Sequence, residues 1–181
     1  MLTRKSLISA LQAYRSSYPE ESSFIPQFLE LLKHPRAFHR DHLPGHVTGS
    51  AWIIDDSTQY TLLTHHAKLN RWLQPGGHAD GDENIINVAM REAREETGLT
   101  SLQLLSTTIF DIDIHTIPAR NDFPEHLHYD IRILLMVSRS ETFTVTDESH
   151  NLSWIRLEDV TEKSGNNRSM IRMAKKVFML F

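Results

Sequence analysis

The spacing of apolar residues near the start of the chain predicts two amphipathic helices separated by a Ser-Tyr-Pro break. The apolar positions are Leu2, Leu7, Ile8, Leu11 and Tyr14 in the first helix, and Phe24, Ile25, Phe28, Leu31 and Leu32 in the second. We expect them to form an extension over residues 1–43, ahead of a domain over residues 44–181. Such helices are expected to pack on the core or to form half of a dimer contact, with a lid over a substrate as the alternative.

Apolar runs farther along the chain predict strands. Residues 46–56 and 59–66 indicate a hairpin with a polar turn between its strands. Two further strands are predicted at residues 102–115 and 128–138. The connection between them, residues 116–127, is long enough to be a functional loop.

A helix with unusual charge spacing is predicted between the hairpin and these later strands. Residues 72–77, Trp-Leu-Gln-Pro-Gly-Gly, read as a short strand broken by a turn. Asp82 can cap the helix that follows, which is predicted from about Glu83 to Thr97. Gly98 supplies the left-handed residue that ends it.

Three carboxylates recur on this helix at positions i, i+3 and i+4: Glu92, Glu95 and Glu96. They project from one face, so their charges destabilise the helix by roughly a few tenths of a kcal/mol per pair unless a cation compensates them. Hard oxygen ligands select Mg²⁺ or Mn²⁺. Glu83 lies about two turns before Arg91. An ion pair between these two residues is expected to brace the helix against the preceding loop.

The segment from Gly77 to Leu99, GHADGDENIINVAMREAREETGL, resembles the Nudix box. Its pattern is Gly, five residues, Glu, seven residues, Arg-Glu, an apolar residue, any residue, Glu-Glu, any residue, Gly and an apolar residue, and every position matches. Looser similarity extends from about His46 to Val160. Residues 154–160 resemble the strand and turn that lead into that family's closing helix, here about residues 167–180. The resemblance implies an α/β fold, a Nudix-type α/β/α sandwich with a mixed sheet, here preceded by the helical extension.

The same resemblance implies an activity and a metal site. Nudix proteins mostly hydrolyse a nucleoside diphosphate linked to another moiety, with a divalent metal, Mg²⁺ or Mn²⁺, bridging the box carboxylates and the pyrophosphate. By this similarity the metal ligands are Glu92, Glu95 and Glu96, with the Gly76 carbonyl as a further candidate. Glu83 and Arg91 are the supporting pair.

The implied mechanism is attack of water on phosphorus, with the metal holding the water and neutralising charge on the pyrophosphate oxygens. Glu92 or Glu96 is the candidate for taking the proton of that water. A base from a loop outside the box is the alternative, and Glu125 and Glu148 are its acidic candidates.

Histidines form a second unusual pattern, since the chain contains 11 of them. His78 follows the Gly-Gly turn, whereas His126, His128 and Asp130 alternate along one predicted strand and share a face. We expect the three histidines to converge with Asp130 at the cleft near the box metal and to contact metal or substrate phosphate. His78 is then a metal ligand, and His126 and His128 are substrate contacts. Neutral imidazoles favour Zn²⁺ or Mn²⁺ over Mg²⁺. Hydrogen bonds to phosphate and purely structural roles are the alternatives.

A weaker resemblance connects the chain to isopentenyl-diphosphate isomerases, which are Nudix-fold proteins with a metal site of histidines and carboxylates. His46 and His78 occupy places similar to two of their metal-binding histidines. Where the isomerases carry two acidic residues on a later strand, this chain has His128 and Asp130. The intact box and the lack of any cysteine are further departures, because the isomerases depart from the box and use a catalytic cysteine.

Besides the histidines, three residues outside the box are candidates for contact with the substrate. Arg120 and Arg132 are candidate phosphate clamps because guanidinium binds phosphate through two hydrogen bonds, although Arg132 can equally form a structural ion pair. Phe123 is the preferred candidate for stacking on a base because it lies in a loop, whereas aromatic residues on strands belong more often to the core.

Composition narrows the class of protein. A chain of 181 residues with 40% hydrophobic content can bury a full core, and the lack of cysteine excludes disulfides and thiol catalysis. The net charge of −4 argues against a general nucleic-acid binder. Without a signal-peptide pattern, the expectation is a cytoplasmic enzyme that acts on a small phosphorylated substrate, with no membrane and a homodimer as one option. A non-catalytic module that binds a nucleotide or metabolite is the alternative class.

Overall fold

A computed structural model describes residues 1–67, 69–120, 123–146 and 149–181. Its helices are α1 (Arg4–Ala13), α2 (Pro19–Leu31), α3 (Ile85–Thr97), α4 (Val160–Lys163) and α5 (Arg168–Leu180), with a 3₁₀ turn at Leu157–Asp159. The strands are β1 (Gly45–Asp55), β2 (Tyr60–His66), β3 (Arg71–Leu73), β4 (Gly76–His78), β5 (Gln103–Leu104), β6 (Asp111–Ile117), β7 (His126–Val137) and β8 (Ser149–Arg156). The two N-terminal helices are confirmed.

In the described residues the strands form one eight-stranded sheet with the main order β3-β2-β1-β7-β5. Off this path, β4 pairs with β1, β6 pairs with β7 and β8 pairs with β2. The predicted hairpin is confirmed, since β1 and β2 are antiparallel with Ile53 opposite Leu62.

The predicted strand over residues 102–115 is wrong, because it consists of two strands that pair with different parts of β7. In β5, Gln103 lies opposite Met136, whereas in β6 Asp111 lies opposite Arg132. Between them the Ser106 hydroxyl accepts the Thr108 amide at 3.1 Å. Such local bonding between a side chain and the backbone competes with the ladder of a sheet.

Helix α3 begins two residues later than predicted and ends where predicted. Asp82 accepts the amide of Asn84 at 2.8 Å, which supplies a partner just before the helix starts. At the other end Gly98 has φ +72°, and its amide bonds the Arg94 carbonyl at 2.8 Å. The left-handed residue at this end is therefore the glycine that the sequence indicated.

The described residues divide into two compact units, of which the first comprises Met1–Ser50, Gly77–Ala89 and Ser106–Ile133. The buried carboxylate of Glu21 on α2 connects the residue that follows α1 with strand β6. It accepts the Tyr14 hydroxyl at 2.8 Å and the Ile112 amide of β6 at 3.2 Å. Phe28 packs edge-on against Tyr129 of β7, with ring centroids 5.3 Å apart. The N-terminal helices thus share a core with the strands of this unit.

The second unit comprises Ala51–Gly76, Met90–Leu105 and Leu134–Phe181. In it β2 lies between β3 and β8, with Thr64 opposite both Leu73 and Leu152. Helix α5 is capped by Asn167, whose side chain accepts the amides of Ser169 and Met170. The buried apolar residues of α5 are Met170, Met173, Ala174 and Val177.

Within the part of the chain that the structure describes, each helix is too short or too polar to cross a membrane.

Candidate functional site

The three carboxylates of α3 lie in different environments, although they share one turn of helix. Glu96 is 8% exposed and the Glu92 side chain 13%, whereas the Glu95 side chain is 59% exposed. Residues four apart are neighbours on a helix, which places Glu92 and Glu96 on the same buried side. Burying carboxylates is costly unless positive charge or hydrogen-bond donors compensate them.

Arg91 supplies part of that compensation. Its Nη1 lies 2.7 Å from Glu92 Oε1 and 3.2 Å from Glu95 Oε2. The guanidinium therefore bridges two of the three carboxylates and reduces their mutual repulsion. The structure thus places a fixed positive charge within the acidic cluster itself.

Gly76 supplies a second partner. Its amide, in β4, donates a hydrogen bond to Glu96 Oε1 at 2.9 Å. This bond fixes the Glu96 carboxylate against Gly76, whose carbonyl the Nudix resemblance makes a further candidate metal ligand. The loop before the box and the acidic helix are therefore joined at a single carboxylate.

The brace predicted between Arg91 and Glu83 has different partners in the structure. Glu83 pairs with Arg4 of α1, with Arg4 Nη2 and Glu83 Oε1 2.7 Å apart. The same guanidinium donates to the carbonyls of Leu32 and His34 at 2.9 and 2.7 Å. The helix spacing that suggested Arg91 carried no information about a residue about 80 positions away in sequence, so the sequence analysis missed Arg4. The Glu83 pair fastens the start of the box to the N-terminal helices.

Four histidines converge in the first unit. His46 of β1, His78 of β4 and His126 and His128 of β7 each offer a ring nitrogen, and these four atoms lie within 4.8 Å of one another. The predicted convergence of His78, His126 and His128 on one another is confirmed. Their place beside the box metal stays a prediction. His46 was not part of that predicted set, although the weaker isomerase resemblance had placed it beside His78.

Burial keeps two of these imidazoles neutral near pH 7. Desolvation lowers the pKa of His46 to about 4, helped by the charge of neighbouring His78. Desolvation followed by the charges of His78 and His115 lowers the pKa of His128 to about 2. A neutral imidazole has a lone pair on one nitrogen and can act as a ligand or hydrogen-bond acceptor.

Asp130, which we expected to join the histidines, is held by other groups. Its Oδ1 accepts the hydroxyls of Thr48 and Ser50 at 3.0 and 2.8 Å, and its Oδ2 accepts Arg132 Nε at 2.8 Å. All four residues are buried. Asp130 lies on β7 with His126 and His128, as predicted. Buried donors on β1 and β7 nevertheless occupy both oxygens of its carboxylate.

Arg132 forms a structural ion pair, which was the alternative to its being a phosphate clamp. Its guanidinium contacts Asp111 at 3.0 Å, Asp113 at 3.2 Å and Asp130 at 2.8 Å. Burial by itself lowers its pKa, but the charges of Asp113, Asp130 and Asp111 more than offset this and raise it. Arg132 is therefore charged and saturated with partners in the core of the unit.

Of the candidates in the loop before β7, Phe123 contacts one of the histidines. Arg120 is exposed, and its backbone forms a two-way hydrogen-bonded bridge with Phe123. Phe123 is 37% exposed and packs edge-on against His126, with ring centroids 4.8 Å apart. Glu125 is exposed beside them, and Glu148 lies outside the described residues.

Most of the chain matches a known protein family. The family model described as the NUDIX domain matches residues 44–175. The mouse (Mus musculus) asymmetrical bis(5'-nucleosyl)-tetraphosphatase is 42% identical over 52 residues, which are 28% of this chain and 35% of that protein. The Danio rerio m7GpppN-mRNA hydrolase NUDT17 is 39% identical over 56 residues, which are 28% of this chain and 19% of that protein. The chain thus spans about a third or less of these curated relatives.

A solved structure supports the fold over a longer range. The binary complex of a C. elegans Ap4A hydrolase has a TM-score of 0.60 and 19% identity, and the match covers 74% of this chain and 96% of that one. The prediction of an α/β Nudix-type fold with a mixed sheet is confirmed.

Proposed function

The chain belongs to the NUDIX domain family, and on that premise we propose that it is a divalent-metal-dependent pyrophosphohydrolase. Its proposed substrate is a nucleoside diphosphate linked to another moiety. In the reaction, a water oxygen forms a bond to phosphorus and the bridging P–O bond breaks, which gives two phosphorylated products.

The observation that carries the proposal is the acidic cluster of α3. Glu92, Glu95 and Glu96 share one turn, with Arg91 on two of them and the Gly76 amide on the third. This donor set of carboxylate oxygens fits Mg²⁺ or Mn²⁺, and the same three residues with the Gly76 carbonyl are the proposed ligands. When bound, such an ion would polarise the phosphoryl oxygens and make the attacking water more acidic.

The chain's own residues have separate proposed roles in this chemistry. Glu92 or Glu96 accepts the proton of the attacking water, because both are largely buried on the same side of α3. Arg91 holds Glu92 and Glu95 in fixed positions, and the Gly76 amide does the same for Glu96. Glu125 remains the proposed alternative base from the loop.

The proposed substrate contacts lie in the loop before β7. Arg120 is exposed, where its guanidinium can meet a phosphate, and Phe123 presents part of its ring to solvent. The names of the two relatives describe enzymes that act on nucleotides joined through a chain of phosphates. Nucleotides linked through their phosphates are therefore the first substrate class to test.

The alternative class is a module that binds a nucleotide without turnover. A chain that lacked the box carboxylates would favour this class. All of them are present in this chain. An enzyme is therefore the better interpretation.

A panel assay tests the proposal. The panel contains diadenosine tetraphosphate, a capped dinucleotide, sugar-linked nucleoside diphosphates and nucleoside triphosphates, each with Mg²⁺, with Mn²⁺ and with a chelator. We expect metal-dependent release of phosphorylated products from at least one phosphate-linked nucleotide. Saturable binding of such a nucleotide with no product under either metal would favour the binding module.

A further inference from the structure

The four histidines of the first unit lie on three strands that are separate in sequence. His46 is near the start of β1, His78 ends β4, and His126 and His128 are on one face of β7. His46 and His126 are buried, at 1% and 7% exposure, while His78 and His128 are half-buried. Gathering four imidazoles in this way removes their polar nitrogen atoms from water, which is unfavourable unless those atoms bind partners within the protein.

The spacing of the ring nitrogens suits a small metal ion. His126 Nε2 and His128 Nε2 lie 3.3 Å apart. Zinc binds imidazole nitrogen at about 2.0–2.1 Å in tetrahedral sites, so two nitrogens on the same ion are separated by about 3.3–3.4 Å. All four ligand atoms lie within 4.8 Å of one another, which small side-chain rotations can close to that value.

Hydrogen bonds on the outer side of two rings direct their lone pairs into the cluster. His126 Nδ1 lies 2.9 Å from the Pro124 carbonyl, and His46 Nδ1 lies 3.4 Å from the His42 carbonyl. A carbonyl only accepts, so each Nδ1 carries the proton and each Nε2 has the lone pair. Ligand histidines in metal sites are oriented by the same kind of outer hydrogen bond.

His46 gives an independent indication that a ligand belongs in the cluster. Its Nε2 is buried and has no hydrogen-bond partner among the described residues. Buried polar side-chain atoms normally have a partner, and an orphan of this kind needs an explanation such as an ion. A metal coordinated by the Nε2 lone pair would satisfy it.

We propose that His46, His78, His126 and His128 bind one divalent transition-metal ion, with Zn²⁺ as the expected occupant, through nitrogen atoms alone. Imidazole ligands suit zinc and its transition-metal neighbours, whereas Mg²⁺ takes oxygen ligands. Its ligands are different residues from the carboxylates of α3. The proposal does not rest on the proposed hydrolase activity.

The ion has a structural consequence, because its ligands come from β1, β4 and β7. Coordination would cross-link these three strands, and an ion that binds only the folded chain stabilises it by mass action. The protein with metal should therefore unfold at a higher temperature than the same protein after chelation. This readout needs no substrate and no turnover.

The test uses the full chain, stripped with a chelator and titrated with ZnCl₂ or CoCl₂. We expect about one Zn²⁺ per chain, a rise in Tm and a visible absorption spectrum of tetrahedral Co²⁺ bound to nitrogen. His78→Gln and His128→Gln each replace a half-buried ligand. Losing only a hydrogen-bond partner of a metal ligand weakens metal binding by ~10- to 100-fold, so losing the ligand itself should weaken Zn²⁺ binding by more than that. His150→Gln, at an exposed histidine of the second unit, is the matched control and should bind Zn²⁺ like the wild type.

The same titration on Glu92→Gln/Glu96→Gln separates this site from the acidic cluster. If that variant retains the Zn²⁺ and the two histidine variants lose it, the histidine site stands even if no hydrolysis is found. Equal Zn²⁺ affinity of wild type, His78→Gln and His128→Gln would overturn the proposal. It would also be overturned if the stoichiometric Zn²⁺ were lost only in the glutamate variant.

Discussion

The amide of Gly76 lies 2.9 Å from Oε1 of Glu96, so the residue just before the box is hydrogen-bonded to a carboxylate in the last turn of α3. One oxygen of Glu96 is thereby fixed, which sets the direction of the whole carboxylate. The proposed hydrolysis requires a water and a phosphate to be placed together, and errors of about 1 Å in such a placement are costly. The orientation of Glu96 is thus set by the backbone.

Arg91 is expected to matter through the carboxylates that it contacts. Arg91→Ala removes the cation beside Glu92 and Glu95 and should lower kcat by about 10- to 100-fold, the usual cost of losing a partner that orients a ligand. Arg94→Ala, at an exposed position on the same helix, is the control and should leave kcat near the wild-type value. Equal kcat for the two variants, at saturating metal, would contradict a role of Arg91 in orienting the carboxylates.

Arg132 should be among the residues on which stability depends most. Arg132→Met leaves Asp111, Asp113 and Asp130 without their cation and should lower the free energy of unfolding by about 3–5 kcal/mol. Arg156→Met breaks an exposed pair with Glu158 and an exposed hydrogen bond to the Tyr60 hydroxyl, and it should cost less than about 1 kcal/mol. Urea denaturation measures both. A loss for Arg132→Met no larger than that for Arg156→Met would contradict the ion-pair assignment.

Gly49 is expected to be required for close packing of β1 against α3. A Cβ at this position would lie 2.9 Å from Val88 Cγ1, so Gly49→Ala should destabilise the protein by about 1–3 kcal/mol. The double variant Gly49→Ala/Val88→Ala should be less destabilised than the sum of its single variants, because the second change makes room for the first. Additive losses in thermal unfolding would show that the two side chains do not compete for this space.

Local spacing predicted the parts of the site that lie within a few residues of one another. The carboxylates of α3, its end at Gly98 and the pairing of His126 with His128 all follow from helix or strand periodicity. Contacts between distant segments could not be read from periodicity. Arg4 on Glu83 and the donors on Asp130 are such contacts, because they depend on which elements the tertiary structure brings together.

The buried histidines predict acid sensitivity. The pKa of His46 is about 4 and that of His128 about 2, below the ordinary value of about 6.5. Below about pH 6.5 these two histidines are therefore protonated in the unfolded chain but still neutral in the folded chain. The free energy of unfolding of metal-free protein should fall as the pH drops from about 6.5 towards about 4. Urea denaturation of chelated protein across this range measures the slope.

Two variants test whether the buried histidines cause this dependence of the free energy of unfolding on pH. His128→Gln should make it shallower, since one depressed pKa is lost, whereas exposed His150→Gln should leave it unchanged. A wild-type protein equally stable at both ends of the range would contradict the burial argument.

The central claim is that the carboxylates of α3 perform metal-dependent hydrolysis, and the most direct measurement is kcat of Glu95→Gln and Glu96→Gln on the best substrate of the panel. With Mg²⁺ or Mn²⁺ at saturation, each variant should lose about 100-fold or more in kcat, the scale of losing one group that stabilises transition-state charge. Thermal unfolding should show both variants folded, and Glu162→Gln, at an exposed glutamate of α4, should match the wild type. Near-wild-type kcat in both Glu95→Gln and Glu96→Gln would contradict the account.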